Sequence, residues 1–343
     1  MITVLFLVFL LQGKLACQNE EFAVMFYNVE NLFDTIDSPL DDDEFLPGGP
    51  RYWSSWRYYS KLNSIYKVIV SANEWMLPQI IGLCEVENQA VVEDLVRSTD
   101  LSRHAYRAVY AGGKDERGIG VALLVDTSFF RIKEVNISFP LNGDGSYIAT
   151  RPVLSARLIN TDDSLTVFVT HWPSRRGGAT ATESLREMVA VHIDKEVRAA
   201  RYSYGVGEKI IIMGDLNCEP ESEIVTGALR ASLHNGIIAD TLLYNLSLFG
   251  GTENHASYKY QGLWLIYDQI IVSGSLLEAA SGYQVNNSGL SVFSDNMILV
   301  PDTRYNGLKP FSTWTGPVYN GGYSDHLPVT ARFELVNSYP AKE

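Results

Sequence analysis

Cysteine is scarce in this 343-residue chain, which contains only Cys17, Cys84 and Cys218. If a leader is cleaved at or before Cys17, two cysteines remain, and no framework of disulfides can hold the fold. Positive charge is also limited, because 27 lysines and arginines are set against 40 aspartates and glutamates, giving a net charge of -13. This balance excludes a general attraction to polyanions, so an anionic ligand would need local help from cations or a few arginines.

The chain opens with an apolar block, MITVLFLVFLLQGKLAC, that is too short to span a bilayer comfortably and is followed by small residues. We therefore predict a signal peptide over residues 1–17 and a secreted or periplasmic protein; an N-terminal strand or a misplaced start is the alternative. Cys17 fits either a signal-peptidase site or a lipoprotein box that would anchor the chain through a lipid. The remaining chain, with 46% hydrophobic residues overall, is long enough to bury a large core.

The stretch KIIIMGDLN, residues 209–217, joins a buried strand to two polar side chains. Ile210 to Met213 form the continuous apolar run expected of a strand covered on both faces. Because strand side chains alternate, Asp215 and Asn217 are expected to point the same way from the strand end. The pair predicts a site for one small reactive atom, although Asp and Asn also form ordinary turns after strands.

Other predicted strands also carry polar side chains at one end. They are Phe22–Tyr27 followed by Asn28, Gln79–Val86 with Glu85, Leu165–Trp172 with His171, and Tyr267–Ser273 with Asp268. A buried carboxylate needs a partner, so Glu85 predicts a metal ion, with a structural salt bridge as the alternative. Asn28 can equally form a turn and His171 can be a packed structural group, but the repeated position favours a shared site.

The segment Gly274–Tyr323 is rich in Gly, Asn and aromatics and is predicted to be a long irregular loop of the kind that carries specificity. It leads to Asp325, which can bind metal, and His326. Asp268 can accept a proton from one nitrogen of His326 and leave the other nitrogen for a reacting oxygen.

Helical spacing of apolar residues predicts helices over Tyr58–Ser71, Asn88–Ser98 and a long stretch around Leu185–Val197. The strands between residues 106 and 172 are separated by little helix, which predicts hairpins and antiparallel pairing on that side. Acidic residues 41–44 lack the spacing of a calcium loop and are assigned no chemistry.

Taken together, NVEN, LCEVEN, THWPSR, GDLN, YDQIIVS and SDHLP, in this order, resemble the motifs of the endonuclease/exonuclease/phosphatase superfamily, whose members include pancreatic DNase and abasic-site endonucleases. The resemblance covers nearly the whole mature chain. It implies a four-layer α/β sandwich, with two mixed, mostly antiparallel sheets flanked by helices. It also implies that residues 22–337 form a single catalytic domain.

The resemblance further implies roles for these residues. Mg²⁺ or Mn²⁺, with Ca²⁺ as a further candidate, would bind near Asn28 and Glu85 with help from Asp325. Asp215 would align or deprotonate the attacking water and Asn217 would position the water or the phosphate. His171 and the Asp268–His326 pair would stabilise the transition state. Members differ over whether the aspartate or the histidine is the base and over one metal or two.

The expected substrate is a phosphodiester, with DNA as the first choice. Candidate phosphate contacts are Arg117, Arg151, Arg175 and Arg176. The alternative is a phosphodiesterase or phosphatase for phospholipids, inositol phosphates or other small molecules, with Tyr323 and its aromatic loop as a pocket wall. A catalytically inactive binding protein on the same fold is a third hypothesis. The sequence predicts a monomer and indicates no obligate protein partner.

Overall fold

The computed structural model describes residues 21–336, except residues 114, 116, 177, 179, 233–235, 237 and 250–254. The predicted signal peptide, with Cys17, and the final residue of the predicted domain lie outside the described residues. Within them, Cys84 and Cys218 are both buried and free. No helix in this part of the chain combines the length and apolar character needed to cross a membrane.

The described residues form three α-helices and nineteen strands. The helices are α1 (Ser55–Ser71), α2 (Gln89–Arg97) and α3 (Glu183–Tyr204). The strands are β1 (Glu21–Leu32), β2 (Ile80–Val86), β3 (Tyr106–Ala111), β4 (Gly120–Asp126), β5 (Arg131–Ser138), β6 (Val153–Ile159), β7 (Ser164–His171), β8 (Lys209–Asp215), β9 (Ala231–Ser232), β10 (Leu243–Asn245), β11 (Tyr258–Tyr260), β12 (Leu263–Leu265), β13 (Asp268–Ser273), β14 (Gly282–Val292), β15 (Leu299–Pro301), β16 (Leu308–Pro310), β17 (Trp314–Thr315), β18 (Val318–Tyr319) and β19 (Val329–Val336).

Two large mixed sheets dominate the fold. The first has the order β14-β19-β1-β2-β4-β3 and the second has the order β5-β6-β7-β8-β13-β10-β9. The pairs β1–β2 and β7–β8 are parallel, whereas the predicted hairpins β3–β4, β5–β6 and β6–β7 are antiparallel. Three two-stranded hairpins, β11–β12, β15–β16 and β17–β18, complete the described strands.

The sheets and helices stack as four layers. Side chains of β1, β4, β7 and β8 pack between the two sheets as one apolar cluster. Helices α1 and α2 cover the outer face of the first sheet, and α3 covers the outer face of the second. The fold class predicted from the sequence is therefore confirmed.

Strand β8 shows why a continuous apolar run suits this architecture. Ile211 and Met213 enter the layer between the sheets, while Ile210 and Ile212 pack under α3. Gly214 then lets β8 approach β7 closely, because a Cβ at that position would lie 2.3 Å from the carbonyl oxygen of Thr170. Because both faces of β8 are packed, the position of its polar end relative to the two sheets is fixed.

The structure corrects the prediction for Gly274–Tyr323. This segment contains the eleven-residue strand β14, which pairs with β19 at the edge of the first sheet, and two of the small hairpins. The prediction of an irregular loop was wrong for β14 because the register shifts between Val285 and Leu290, which breaks the alternation of apolar side chains. Helix α1 also begins earlier than predicted, since Ser54 caps it.

Candidate active site

Five polar side chains meet at one edge of the two sheets. Asn28 belongs to β1, Glu85 to β2, Asp215 to the end of β8 and Asp268 to the start of β13, while His326 lies just before β19. Because β13 runs antiparallel to β8, Asp268 stands directly opposite Asp215 in the register. Chain direction and strand pairing therefore bring together residues that are far apart in the sequence.

His326 is held by a carboxylate, a hydroxyl and an aromatic ring. Its Nδ1 lies 2.6 Å from Oδ2 of Asp268, and the same oxygen accepts a 2.5 Å hydrogen bond from Ser257 Oγ. The ring of Tyr258 stacks on the imidazole, with 4.5 Å between centroids. Burial acts to lower the pKa of His326, but Asp268 and Asp215 outweigh it and raise that pKa well above its usual value. His326 is therefore set up as an imidazolium at neutral pH.

Asp215 lies between the two histidines. Its Oδ2 accepts a 3.1 Å hydrogen bond from Asn28 Nδ2 and lies 3.6 Å from Nε2 of His171 and 3.8 Å from Nε2 of His326. Its Oδ1 accepts from the backbone N–H of Asn217 at 3.0 Å. Burial, opposed by His326, raises the pKa of Asp215 to about 7. A carboxylate with this pKa can take up a proton near neutral pH.

Asn217 forms the turn that its position after a strand allows. Its backbone lies in the left-handed region, with φ 49°, and its side chain donates to the carbonyl of Trp172 at 3.2 Å. Asn217 therefore orients Asp215 through its N–H and ties the end of β8 to the residue that follows β7. The turn that was the alternative to a site at this position is therefore part of the candidate site.

Arg151, which the sequence predicts to be a phosphate contact, lies behind His171. The guanidinium is buried, with 5% of the residue exposed, and it binds His171 Nε2 at 2.6 Å and Asp115 Oδ2 at 2.8 Å. Because a guanidinium only donates, Nε2 of His171 accepts and the ring is neutral. Burial, reinforced by Arg151 and Arg117, lowers the pKa of His171 well below its usual value. On this side of the site, the positive charge is therefore carried by Arg151 and not by His171.

The acidic side of the site offers oxygen ligands. Glu85 Oε2 accepts from the backbone N–H of Asn31 at 3.0 Å, and its Oε1 lies 4.0 Å from Arg117. Burial acts to raise the pKa of Glu85, but Arg117 and the other nearby cations outweigh it and lower that pKa. Burial and the charge of Glu85 raise the pKa of Asp325. Nearby cations therefore hold Glu85 as an anion, whereas burial beside Glu85 disfavours the charged form of Asp325.

A hard divalent cation fits the oxygen donors on this side of the site. The carboxylates of Glu85 and Asp325 and the amide oxygen of Asn28 are the kinds of ligand that Mg²⁺ prefers. Asp215, Asp268 and His326 also offer ligand atoms within 4.8 Å of one another. In that group Oδ2 of Asp268 already accepts from Ser257 Oγ and lies 2.6 Å from His326 Nδ1, so its carboxylate is less free to bind an ion than the carboxylates of the oxygen-rich side.

The backbone is strained where the two sides meet. Glu30, Asn31, Glu85 and Asn217 all have positive φ, between 48° and 61°. Residues with side chains pay for this conformation and keep it only where the surrounding structure fixes it, which happens most often at functional sites.

The arginines predicted as phosphate contacts differ in how accessible they are to solvent. Arg175 and Arg176 are exposed. Arg175 donates through Nε to the carbonyl of Asn217 at 3.0 Å, and its guanidinium lies 5.3 Å from the ring centre of Tyr267. Arg117 is partly exposed, and its Nε lies 3.5 Å from Asp115. Arg175 and Arg176 are therefore better placed than Arg151 to meet a ligand arriving from solvent.

Tyr323, predicted as a wall of the substrate pocket, is half-buried. Its ring packs near Phe311, with 6.2 Å between centroids, and its carbonyl accepts a hydrogen bond from Lys61. The backbone of Tyr323 is thus tied down inside the protein, and its ring lies on the side of the loop formed by Phe311.

Sequence reasoning missed four residues that the structure places at the site. Glu30 and Lys61 are buried on the acidic side, and Ser257 and Tyr258 hold the Asp268–His326 pair. Lys61 had a signal in the sequence, since it precedes Leu62 on the apolar face of a predicted helix, where a charge needs a partner. Ser257 and Tyr258 had none, because only strand pairing brings them near His326.

Comparisons with known proteins agree with this fold. A family model described as the endonuclease/exonuclease/phosphatase family matches residues 23–335. No curated protein is a significant match.

Three solved structures illustrate the shared fold. An endonuclease/exonuclease/phosphatase family protein from Bacteroides thetaiotaomicron has a TM-score of 0.58 and 14% identity, covering 95% of this chain and 99% of its own. The mannosyl-6-phosphatase of the same organism has a TM-score of 0.56 and 15% identity, covering 91% and 99%. TDP2 from D. rerio, complexed with a single-strand DNA product, has a TM-score of 0.54 and 12% identity, covering 92% and 99%.

The family match extends from the third residue of β1 to the penultimate residue of β19, so it reaches every strand of both large sheets. It also includes all the side chains that converge at their edge. This chain belongs to the endonuclease/exonuclease/phosphatase family.

Proposed function

We propose that this protein is a divalent-metal-dependent hydrolase that cleaves phosphodiesters with water. The observation that carries the proposal is Asp215, whose pKa is raised to about 7 and whose Oδ2 lies 3.8 Å from Nε2 of His326, the ring that Asp268 holds. A base close to a proton donor, next to carboxylates suited to a hard cation, provides the groups that phosphoryl transfer to water requires.

Each side chain has a role in this reaction. Asp215, oriented by Asn28 and Asn217, takes the proton of the attacking water. His326, whose pKa is raised well above its usual value, stabilises the charge that develops on the phosphate and gives a proton to the leaving oxygen.

The cations of the site balance the phosphate charge. Arg151 holds neutral His171 in place and adds positive charge behind it. Glu85, Asp325 and the Asn28 amide oxygen would hold the divalent ion, Mg²⁺ or Mn²⁺, and the ion would neutralise phosphate oxygens when bound.

DNA is the first substrate to test. The similar TDP2 structure contains a single-strand DNA product, and exposed Arg175 and Arg176 lie on the loop beside Asn217. A secreted or periplasmic location, inferred from the apolar block of residues 1–17, would suit an enzyme that degrades external nucleic acid; Cys17 would decide whether the protein is lipid-anchored.

A small phosphate ester is the second candidate, and two observations favour it. The net charge of -13 works against a long polyanion, and Arg151 is buried at the centre of the site instead of lining a groove. One of the proteins with a similar fold is named a mannosyl-6-phosphatase.

A substrate panel tests the proposal. The mature chain would be incubated with plasmid DNA, single-stranded DNA, RNA, sphingomyelin, bis(p-nitrophenyl) phosphate and mannose 6-phosphate, each with Mg²⁺, with Mn²⁺ and with EDTA. We expect turnover of at least one diester that depends on the added ion. Equal turnover in EDTA would contradict the metal role, while inactivity toward every ester would favour a binding protein on this fold.

A further inference from the structure

Lys61 is a buried cation that the reaction described above does not use. It lies on the face of α1 that packs against the first sheet, with 2% of the residue exposed. A buried ammonium is stable only when it is paired and hydrogen-bonded. Its Nζ donates to Oγ1 of Thr313 and to the carbonyl oxygen of Tyr323. Lys61 therefore joins helix α1 to both ends of the segment 313–323.

Glu30 holds the same segment from the opposite side. Its Oε2 accepts the backbone N–H of Thr313 at 2.6 Å, and its Oε1 accepts that of Trp314 at 3.1 Å. Thr313 is consequently held twice, by its N–H on Glu30 and by its hydroxyl on Lys61. Both oxygens of Glu30 are engaged with backbone groups, so the two residues form a clamp on this segment.

The clamped segment leads directly into the active site. Ser324 follows Tyr323, donates to the carbonyl of Asn28 at 2.7 Å and accepts the backbone N–H of His326 at 3.1 Å. Asp325 lies between these anchors. Asp325 is therefore carried by the short stretch that begins at the carbonyl held by Lys61, and the backbone of His326 follows it, while the His326 ring is also held by Asp268 and Tyr258.

We propose that Lys61 is a positioning residue of the active site, which fixes Asp325 and His326 by anchoring Thr313 and the carbonyl of Tyr323 without touching the substrate. This inference rests on the proposed hydrolase function. The charge of Lys61 also opposes the burial that raises the pKa values of Glu30 and Asp325. A neutral side chain of similar length would fill the space but would leave Glu30 without its cation.

Hydrogen exchange tests the clamp without relying on activity. Lys61→Met removes the ammonium and keeps an apolar side chain, and Lys67→Met on the exposed face of α1 is the matched control. We expect the amides of Thr313, Trp314 and His326 to exchange at least tenfold faster in Lys61→Met, with β1 and β19 unchanged. Unchanged exchange at these amides would overturn the proposal.

Kinetics tests the consequence for catalysis. With the best substrate of the panel and saturating Mg²⁺, we expect Lys61→Met to lower kcat at least tenfold and to change KM less than twofold, because the segment positions reacting groups and does not bind substrate. Lys67→Met should change neither. A kcat within twofold of the wild-type value would overturn the positioning role.

Chemical rescue separates the charge of Lys61 from its volume. In Lys61→Ala, propylammonium matches the missing atoms, and 1-propanol has the same length without the charge. We expect kcat to rise several-fold with propylammonium only. Equal rescue by both compounds, or exchange that accelerates across the whole first sheet, would show a role in packing and overturn the proposal. If the wild-type protein cleaves none of the panel, the proposed function fails, and the exchange experiment still decides whether the clamp exists.

Discussion

The two halves of the site are built differently. In the histidine half, Asp215 and Asp268 lie on paired strands and His326 lies just before β19, and each side chain has close hydrogen-bonding or charged partners within this half. The carboxylate half, Asn28, Glu85 and Asp325, lies beside backbone with positive φ at Glu30, Asn31 and Glu85, and burial together with Glu85 raises the pKa of Asp325. The first half has its partners within the protein, while in the second half the charged form of Asp325 is disfavoured.

This difference indicates that the two halves of the site have different roles. The histidine half is preorganised, so we expect it to keep its geometry whether or not an ion is present. The carboxylate half is expected to gain stability and order when a cation binds. The four predictions that follow test this contrast, beginning with the largest expected effect.

Replacing Asp215 with Asn should have the largest effect on turnover. The amide keeps the size of the carboxylate but cannot accept the proton of water, so we expect kcat to fall by about 10³-fold. The measurement is the initial rate with the best substrate, with exposed Asp162→Asn as control. Since the fold should be intact, circular dichroism should match the wild-type spectrum. A rate near the wild-type value would show that another group is the base.

Replacing Asp268 with Asn should have the next largest effect. Asp268 keeps the pKa of His326 high, so its loss should lower that pKa and reduce kcat by about 10²-fold. The histidine titration, followed by NMR, and the rate should change together. An unchanged histidine pKa in this variant would contradict the assignment of the pair.

Replacing Glu85 with Gln should act mainly on ion binding. We expect affinity for Mn²⁺ to fall by about 10- to 100-fold, because one ligand charge of the carboxylate half is removed. Mg²⁺ should raise the melting temperature of the wild-type protein and of exposed Glu278→Gln, but not that of Glu85→Gln. An equal Mg²⁺ shift in all three proteins would place the ion elsewhere.

The smallest expected effect is a pH dependence of stability. Burial raises the pKa of Asp215 from 3.8 to about 7, so the folded state holds this proton more tightly than the unfolded state does. The stability contributed by Asp215 is fully present below its unfolded pKa and is lost as the pH rises through about 7. In EDTA, the melting temperature of Asp215→Asn minus that of the wild-type protein should therefore increase by about a few degrees between pH 5 and pH 8. A constant difference over this range would contradict the raised pKa.

Much of the fold could be predicted because apolar runs report burial directly. The run Ile210–Met213 predicted a strand covered on both faces, and both faces are covered. The polar residues at the ends of β1, β2, β8 and β13 could be selected as candidates, since a buried strand does not keep such groups without a reason. The structure brings them to one edge, and their catalytic roles stay predictions.

Distances across the fold could not be predicted in this way. Arg151 was assigned to the substrate because arginines bind phosphate, but its position behind His171 depends on how β6 pairs with β7. Ser257 and Lys61 likewise gain their roles from contacts with residues far along the chain. A sequence pattern indicates which face a side chain occupies, but it does not say what lies opposite.

The register between β8 and β13 makes the candidate active site intolerant of a shift in strand pairing. Asp215 and Asp268 face each other in one ladder, and side chains on a strand alternate between the two faces. If β13 moved by a single residue, Gln269 would take the place of Asp268, and His326 would lose its acid while the sheet stayed nearly as well bonded. Such a form would lack the Asp268–His326 pair while keeping most of its strands, so recovered activity is a stricter measure of correct refolding than recovered secondary structure.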